Sequence, residues 1–112
     1  MHNGPHYYDL KVKQIIQETK DAITIVFDQP AKRIEYKSGQ FLTLIISVQG
    51  KEVRRAYSLC SSPFVDHDLA VSIKRVDKGL MSNWLPDNLK VGGTVKVMEP
   101  MGVPVAQLML NL

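Results

Sequence analysis

A β-hairpin is predicted by the stretch Phe41-Leu-Thr-Leu-Ile-Ile-Ser-Val48, followed by Gln49-Gly50 and then by Lys51 to Leu59. The β-branched residues of the first segment favour an extended strand. A glycine in a two-residue loop supplies the positive φ that tight hairpin turns require. Ser61-Ser-Pro63 then ends the second strand, because proline cannot continue a hydrogen-bonded ladder.

Four further strands are predicted on either side of this hairpin. The clearest begins at Leu69, where apolar residues alternate with small or polar ones, the period-two pattern of a half-buried strand. The four predicted strands are about Tyr8 to Thr19, Ala22 to Asp28, Leu69 to Lys74 and Thr94 to Glu99.

The segment 79–88 lacks this alternation and places its apolar residues at helical spacing. We predict a short helix there that begins near Met81 or Ser82 and frays at Pro86. Six strands with short turns and one short helix predict an all-β fold, a six-stranded antiparallel Greek-key barrel with one short α-helix.

The composition is that of a single globular domain. The chain has 112 residues, of which 45% are hydrophobic and 22% are charged, and this size suffices for an ordinary core. The longest apolar run is far shorter than the ~20 residues that a membrane-spanning helix needs. Cys60 is the only cysteine, which excludes an internal disulfide and fits a cytoplasmic location. The histidines lack metal-ligand spacing, so no metal site is expected.

The segment Arg54-Arg-Ala-Tyr-Ser-Leu-Cys-Ser-Ser62 contains the first candidate site. On an extended strand Arg55 and Tyr57 project from the same face, so a guanidinium that can bind phosphate lies beside an aromatic ring that can stack. Ser58 follows at the end of the strand, where its hydroxyl can reach a heteroatom of a stacked ring. The alternative is a surface arginine beside a core tyrosine, with serines entering a turn.

The second candidate site is Lys78-Gly-Leu-Met-Ser82. Gly79 permits close approach of the backbone, and the first amides of a helix attract an anion to which Ser82 can donate its hydroxyl. In the alternative, Ser82 is the N-cap of its own helix. The preceding segment, Ser72-Ile-Lys-Arg75, either adds cationic groups to this site or is a solvated strand edge.

Taken in order, three motifs resemble the FAD-binding barrel of the ferredoxin–NADP reductase family. They are Arg-x-Tyr-Ser-x-x-Ser at 55–61, Val-Ser-Ile-Lys-Arg at 71–75 and Gly-x-x-Ser at 79–82. The resemblance covers about Tyr8 to Gly102 and is greatest for the reductase components of bacterial oxygenases, such as the phenylacetyl-CoA oxygenase reductases. Two flanking segments, 36–43 and 98–102, look like landmarks of the same group.

This resemblance implies the FAD-binding domain of a flavin-dependent NAD(P)H oxidoreductase, which passes electrons from NAD(P)H through flavin to an iron–sulfur acceptor. FMN is the alternative cofactor. Arg55 would pair with the diphosphate, while Tyr57 packs against the isoalloxazine ring and Ser58 bonds near flavin N5, which makes these last two the candidate catalytic residues. The remaining candidate cofactor-binding residues are Ala56 on the same strand, Ser72, Ile73 and Lys74 on the neighbouring strand, and Gly79, Leu80, Met81 and Ser82 at the helix start.

In this family a nucleotide-binding α/β domain usually follows the barrel. We therefore expect a flexible tail at residues 1–7, the FAD-binding barrel at 8–102, and a C-terminal tail at 103–112 where the NAD(P)H-binding domain normally begins. Pro104 stands where the family commonly has an aromatic residue. We therefore expect the chain to be an excised domain, a truncated reading frame or a stand-alone barrel. Alone, it is expected to lack full turnover and to self-associate through the exposed interdomain face.

Two other functions fit a small barrel. One is an OB-like domain that binds single-stranded nucleic acid, which the net charge of +3 favours. The scattered lysines and an aromatic content of only 7% argue against it. The other is a cofactor-free interaction module in which the motifs have lost their ligand. The flavin interpretation predicts neither a nucleic-acid nor a membrane partner.

Overall fold

Six strands and one helix form in the order that the sequence predicts. The structure is a computed structural model that describes residues 4–102, so the predicted C-terminal tail at 103–112 lies outside the described residues. The elements are β1 (Tyr7–Thr19), β2 (Ala22–Phe27), β3 (Phe41–Val48), β4 (Lys51–Ser58), β5 (Leu69–Lys74), α1 (Leu80–Asn88) and β6 (Thr94–Met101).

The six strands form one antiparallel sheet in the order β4-β3-β6-β1-β2-β5. Non-sequential strands are neighbours, since β6 lies between β3 and β1 and β5 lies beside β2, as Greek-key connections produce. The predicted fold class is therefore confirmed. The sheet curves so that its edge strands β4 and β5 approach one another, but a single bridge between Leu59 and Val71 joins them in place of a full ladder.

The predicted hairpin, with its tight turn at Gln49-Gly50, is confirmed. Val48 pairs with Lys51 across a two-residue loop. Gln49 has a φ of 51° and Gly50 a φ of 79°. Positive φ at both central residues is the signature of a type I′ turn, whose twist matches that of the flanking strands.

The inward faces of the six strands and one face of α1 share a single apolar core. Alternate residues of β2, β3 and β5 are almost completely buried, as the period-two pattern predicts. The side chains with the least exposure are Leu10, Val12, Ile23, Ile25, Phe27, Leu42, Leu44, Leu69, Val71, Ile73, Met81 and Leu85.

Helix α1 begins at Leu80 and continues through Pro86 to Asn88, so the prediction that it frays at Pro86 is wrong. Proline removes one backbone donor from the helix. The last turn is nevertheless held, because Leu85 is fully buried and its carbonyl accepts the N–H of Leu89 at 2.9 Å. Within residues 4–102, no helix is long and apolar enough to cross a membrane.

Candidate cofactor-binding site

Strands β4 and β5 form a fork that is closed just beyond Ser58 and opens towards α1. At the closed end, Leu59 bridges Val71, and the N–H of Cys60 donates to the carbonyl of Ala70 at 2.9 Å. The strands pair no further, so the remaining edge of β4 faces no other strand in the described part of the chain. The fork therefore leaves backbone donors and acceptors available to a ligand.

Ser61, the last residue of the first motif, stabilises this closed end through hydrogen bonds. Its Oγ accepts the N–H of Ala70 at 3.1 Å and lies 2.7 Å from the hydroxyl of Tyr36. Both partners are fixed by the sheet and the core, so the serine joins β4 to β5 at the point where the ladder stops. The sequence could not distinguish this structural role from a ligand contact.

Arg55 and Tyr57 project from the same face of β4, as the sequence predicts. This is the inward face, where they lie opposite Leu44 and Leu42 of β3. Tyr57 is half-buried against the core, whereas Arg55 is exposed. Burial raises the pKa of the Tyr57 phenol, and the charge of Arg55 partly opposes that rise. The phenol is therefore protonated at neutral pH and can donate a hydrogen bond.

The guanidinium of Arg55 is available to an anion. Its Nη1 donates to the carbonyl of Arg54 at 2.7 Å, and within residues 4–102 it forms no ion pair. The neighbouring Arg54 differs, because its Nε lies 3.0 Å from a carboxylate oxygen of Glu52 and its Nη1 donates to the hydroxyl of Tyr7. Of this arginine pair, Arg55 is therefore the one suited to bind a phosphate.

Each strand of the fork carries one exposed serine next to its closed end. Because Leu59 pairs with Val71 in antiparallel register, continuing that register sets Ser58 opposite Ser72. Lys74 is also exposed on β5, whereas Ile73 between them is fully buried in the core. Ile73 can therefore reach a ligand only through its backbone.

The start of α1 lies at the open end of the fork. Gly79 is the N-cap residue, so the alternative in which Ser82 caps the helix is wrong; the helix has no side-chain cap and no acidic residue in its first turn. Leu80 is 47% exposed, while Met81 and Ser82 are buried. The Oγ of Ser82 accepts the N–H of Val76 at 3.2 Å, which leaves the hydroxyl proton free to be donated.

A surface groove of about 550 Å³ connects the β3–β4 hairpin to the start of α1. Arg55 and Leu80 both line it, so the first and third motifs, which are well separated in sequence, meet in one place. The residues present fit an elongated anionic cofactor, because an unpaired guanidinium, uncapped helix amides and a free strand edge surround one cleft. The lining residues are Val48, Gln49, Lys51, Glu52, Val53, Arg54, Arg55 and Leu80.

The hairpin residues of this groove were not predicted from the sequence. Nothing in Val48–Val53 distinguishes a ligand-facing turn from an ordinary one, because its proximity to α1 arises only in three dimensions. Arg75, which the sequence suggested as a cation for the site, instead pairs with Asp87 of α1 at 2.6 Å. Its charge is therefore largely satisfied within the protein.

Another groove, of about 430 Å³, lies between residues 33–36 and the loop 63–67. It contains none of the predicted site residues. Its lining carries charges of both signs, and Phe64 at its rim is 90% exposed. It is thus separate from the fork.

Comparison with known sequences supports the flavin interpretation. The sequence pattern of the oxidoreductase FAD-binding domain family matches residues 8–104. The chain is 40% identical over 109 residues to the ferredoxin reductase component of 3-ketosteroid-9-alpha-monooxygenase from Mycobacterium tuberculosis, covering 88% of this chain and 30% of that protein. It is 35% identical over 99 residues to a component of the 1,2-phenylacetyl-CoA epoxidase of Escherichia coli, covering 86% and 28%.

A solved structure with the same fold is the ferredoxin reductase in carbazole 1,9a-dioxygenase. It is 33% identical, with a TM-score of 0.71, and the match covers 87% of this chain and 29% of that one. The chain thus spans less than a third of the length of the curated relatives compared. The chain belongs to the oxidoreductase FAD-binding domain family, whose cofactor is FAD, and it is similar to the ferredoxin reductase components of oxygenase systems.

Proposed function

We propose that the fork and the adjoining groove hold FAD in an extended conformation. The isoalloxazine ring would lie at the end of β4, and the diphosphate would lie between Arg55 and the start of α1. The observation that carries this proposal is that Arg55 and Leu80 line one groove although they belong to separate motifs. A ligand that lies along this groove meets the guanidinium of Arg55 and the first amides of α1, which suit the diphosphate of FAD.

On β4, three residues would act in turn along the cofactor. The guanidinium of Arg55 would donate to diphosphate oxygens, because within the described residues it has no carboxylate partner. Tyr57 would pack its half-buried ring against the flavin, and its protonated phenol would donate to the ribityl chain. Ser58 would present its exposed hydroxyl near flavin N5. Ala56, also exposed, would allow close approach of the cofactor because its side chain is small.

Across the fork, β5 would contribute mainly backbone groups. Ile73 is completely buried, so only its N–H and carbonyl can face the flavin. Ser72 and Lys74 are exposed on either side of it and would add a hydroxyl and a positive charge.

At the start of α1, the backbone of Gly79, Leu80 and Met81 would bind the diphosphate. Met81 is 1% exposed and can contribute only its amide. The hydroxyl of Ser82 would donate its remaining proton while its oxygen holds the N–H of Val76.

We propose that the chain is the flavin-holding part of a longer electron-transfer reaction. When bound, FAD supplies the redox chemistry, accepting hydride from NAD(P)H and passing single electrons to an iron–sulfur acceptor. The relatives of which this chain spans about 30% are reductase components of oxygenase systems. We therefore propose that residues 8–102 are the cofactor-holding domain of such a reductase, acting with an NAD(P)H-binding domain in the cytoplasm, and that the face turned towards that domain promotes self-association when it is exposed.

Titration of the purified chain with FAD and with FMN, followed by flavin fluorescence, tests this proposal. We expect saturable binding of FAD and, for Arg55→Ala, a Kd raised about 10- to 100-fold. That factor corresponds to the loss of a charge-assisted contact of about 1.5–3 kcal/mol.

The matched control is Arg33→Ala, which removes the same charge from an arginine that lines the separate groove of about 430 Å³ and donates to the carbonyls of Pro63 and Asp66. We expect this variant to change the Kd of FAD by less than about threefold, because exposed charges beyond direct contact are screened. A folded chain that takes up no FAD, or equal losses in the two variants, would contradict the proposed placement.

A further inference from the structure

The turn that connects β5 to α1 is held by side chains of the helix that follows it. The N–H of Gly79 donates to the carbonyl of Val76 at 2.8 Å and closes a four-residue turn. Asn83 then donates from Nδ2 to two carbonyls of the same turn, that of Val76 at 2.8 Å and that of Gly79 at 2.6 Å. One amide group thus fixes both ends of the turn.

The turn needs this support because its backbone is not relaxed. Lys78 has a φ of 61°, in the left-handed region that residues with a Cβ rarely adopt. Gly79 packs so closely that an added Cβ would overlap the Oγ of Ser82 and lie 3.0 Å from the carbonyl oxygen of Val76. Such a conformation persists only when surrounding contacts over-determine it.

A second side chain extends the network across the helix. Arg75, at the end of β5, points its Nη1 at the carbonyl oxygen and Oδ1 of Asn83, both at 3.4 Å. Its Nη2 donates to Asp87 at 2.6 Å. The guanidinium therefore links the strand to two consecutive turns of α1 and orients the amide of Asn83, so that Nδ2 faces the turn.

We propose that Asn83 and Arg75 are positioning residues for the diphosphate of FAD. They hold the turn Val76–Gly79, and through it the direction of the first amides of α1 and of the Ser82 hydroxyl, without contacting the cofactor. The network supplies a rigid frame for a helix start that has no side-chain cap and no acidic residue. This inference rests on the proposed function, because it concerns the same anion-binding end of the groove.

Asn83→Asp is the decisive variant, because it keeps the size and one oxygen of the side chain but replaces the double donor with an acceptor that faces two carbonyls. We expect it to weaken FAD binding about tenfold, and the binding of ADP by a similar factor, since ADP carries only the diphosphate half. Binding of riboflavin, which has no phosphate, should change by less than about twofold. A purely structural role would move all three ligands alike.

The matched control is Asn88→Asp, the same substitution at the far end of the same helix, where Nδ2 donates to the carbonyl of Trp84 and to no other group within residues 4–102. It should leave FAD and ADP affinity within about twofold of the unaltered chain. Should Asn83→Asp fail to fold, Arg75→Lys serves in its place, because it keeps the charge but cannot span Asn83 and Asp87. About a threefold loss of FAD and ADP affinity, with riboflavin unchanged, is expected from it.

The two proposals fail differently. If the unaltered chain binds FAD but Asn83→Asp and Asn88→Asp give the same affinities, the positioning role is refuted and the proposed function stands. If Asn83→Asp weakens riboflavin as much as FAD, the role is also refuted, since the damage is then general. If the unaltered chain, shown to be folded by circular dichroism, binds neither FAD nor ADP, both proposals fall.

Discussion

Replacing Gly79 with alanine should destabilise the fold mainly through the conflict of the new Cβ with one side chain. Gly79 has φ −71° and ψ 119°, a conformation open to any residue, so backbone strain contributes nothing. The new Cβ would instead overlap the Oγ of Ser82 and lie 3.2 Å from the Cβ of Val76. Ser82 must then rotate and release the N–H of Val76, which it accepts at 3.2 Å.

The size of the effect follows from that lost hydrogen bond. Leaving a partly buried N–H without a partner costs about 1–3 kcal/mol, and the lower unfolded-state entropy of alanine returns about 0.4–1 kcal/mol. We therefore expect Gly79→Ala to lower the free energy of unfolding by about 1–2 kcal/mol. For a domain of this size each kcal/mol lowers Tm by about 4–8 °C.

A double-mutant cycle separates this conflict from other causes. Ser82→Ala alone should cost about 1 kcal/mol for the same hydrogen bond. In that background the Oγ is absent, so Gly79→Ala should cost less than about half of what it costs in the unaltered chain. Thermal and urea unfolding, monitored by circular dichroism, measure both. Costs that add within about 0.5 kcal/mol, the behaviour of independent sites, would refute the reasoning, as would a neutral Gly79→Ala.

Two further predictions concern the core and the ion pair that joins Arg75 to Asp87 of α1. Leu44→Ala removes a side chain with no exposed surface and should cost about 2–5 kcal/mol, measured by urea unfolding; a loss below about 1 kcal/mol would contradict the central position of this residue. The hydrogen bond from Arg75 holds the pKa of Asp87 below its ordinary value of 3.8. Because the folded-state pKa is lowered, the ion pair stabilises the fold above that value and its contribution disappears as the pH falls through the folded-state pKa. The difference in Tm between the unaltered chain and Asp87→Asn should therefore shrink between about pH 5 and pH 2. A difference that does not depend on pH would contradict a stabilising role for this ion pair.

The fold could be predicted largely because local signals and tertiary structure agree. The alternation at Leu69–Lys74 and the glycine at Gly50 follow directly from strand pleating and turn geometry. The end of α1 could not be predicted in this way. Proline carries a strong local signal to stop, but the burial of Leu85 is a tertiary effect that overrides it.

The candidate site could be predicted less completely, because each of its residue types can either bind a ligand or pair with another group of the protein. From the sequence, Arg55 is the candidate for the diphosphate and Arg75 a further cationic group that could add to the site. Only the structure shows that Arg75 forms an ion pair with Asp87, while Arg55 has no acidic partner in the described residues. Similarly, Ser58 is exposed whereas Ser61 is committed to Tyr36 and the backbone of β5. The spacing of residue types in the sequence identifies the segments of the site. Which residues of those segments are free to bind a ligand depends on the hydrogen bonds and ion pairs that form in the folded chain.

Incomplete closure of the barrel is itself a functional feature under the proposed function. An open strand edge is normally a liability, because its unpaired backbone groups invite pairing with other chains. Here Leu59 and Val71 close the fork at one end only, and the charged side chains of β4 and the start of α1 flank the open end. A full ladder between β4 and β5 would satisfy the same backbone groups and strengthen the sheet. It would also remove the free edge that the flavin is proposed to contact, so the stability forgone at this edge is the condition for binding the cofactor there.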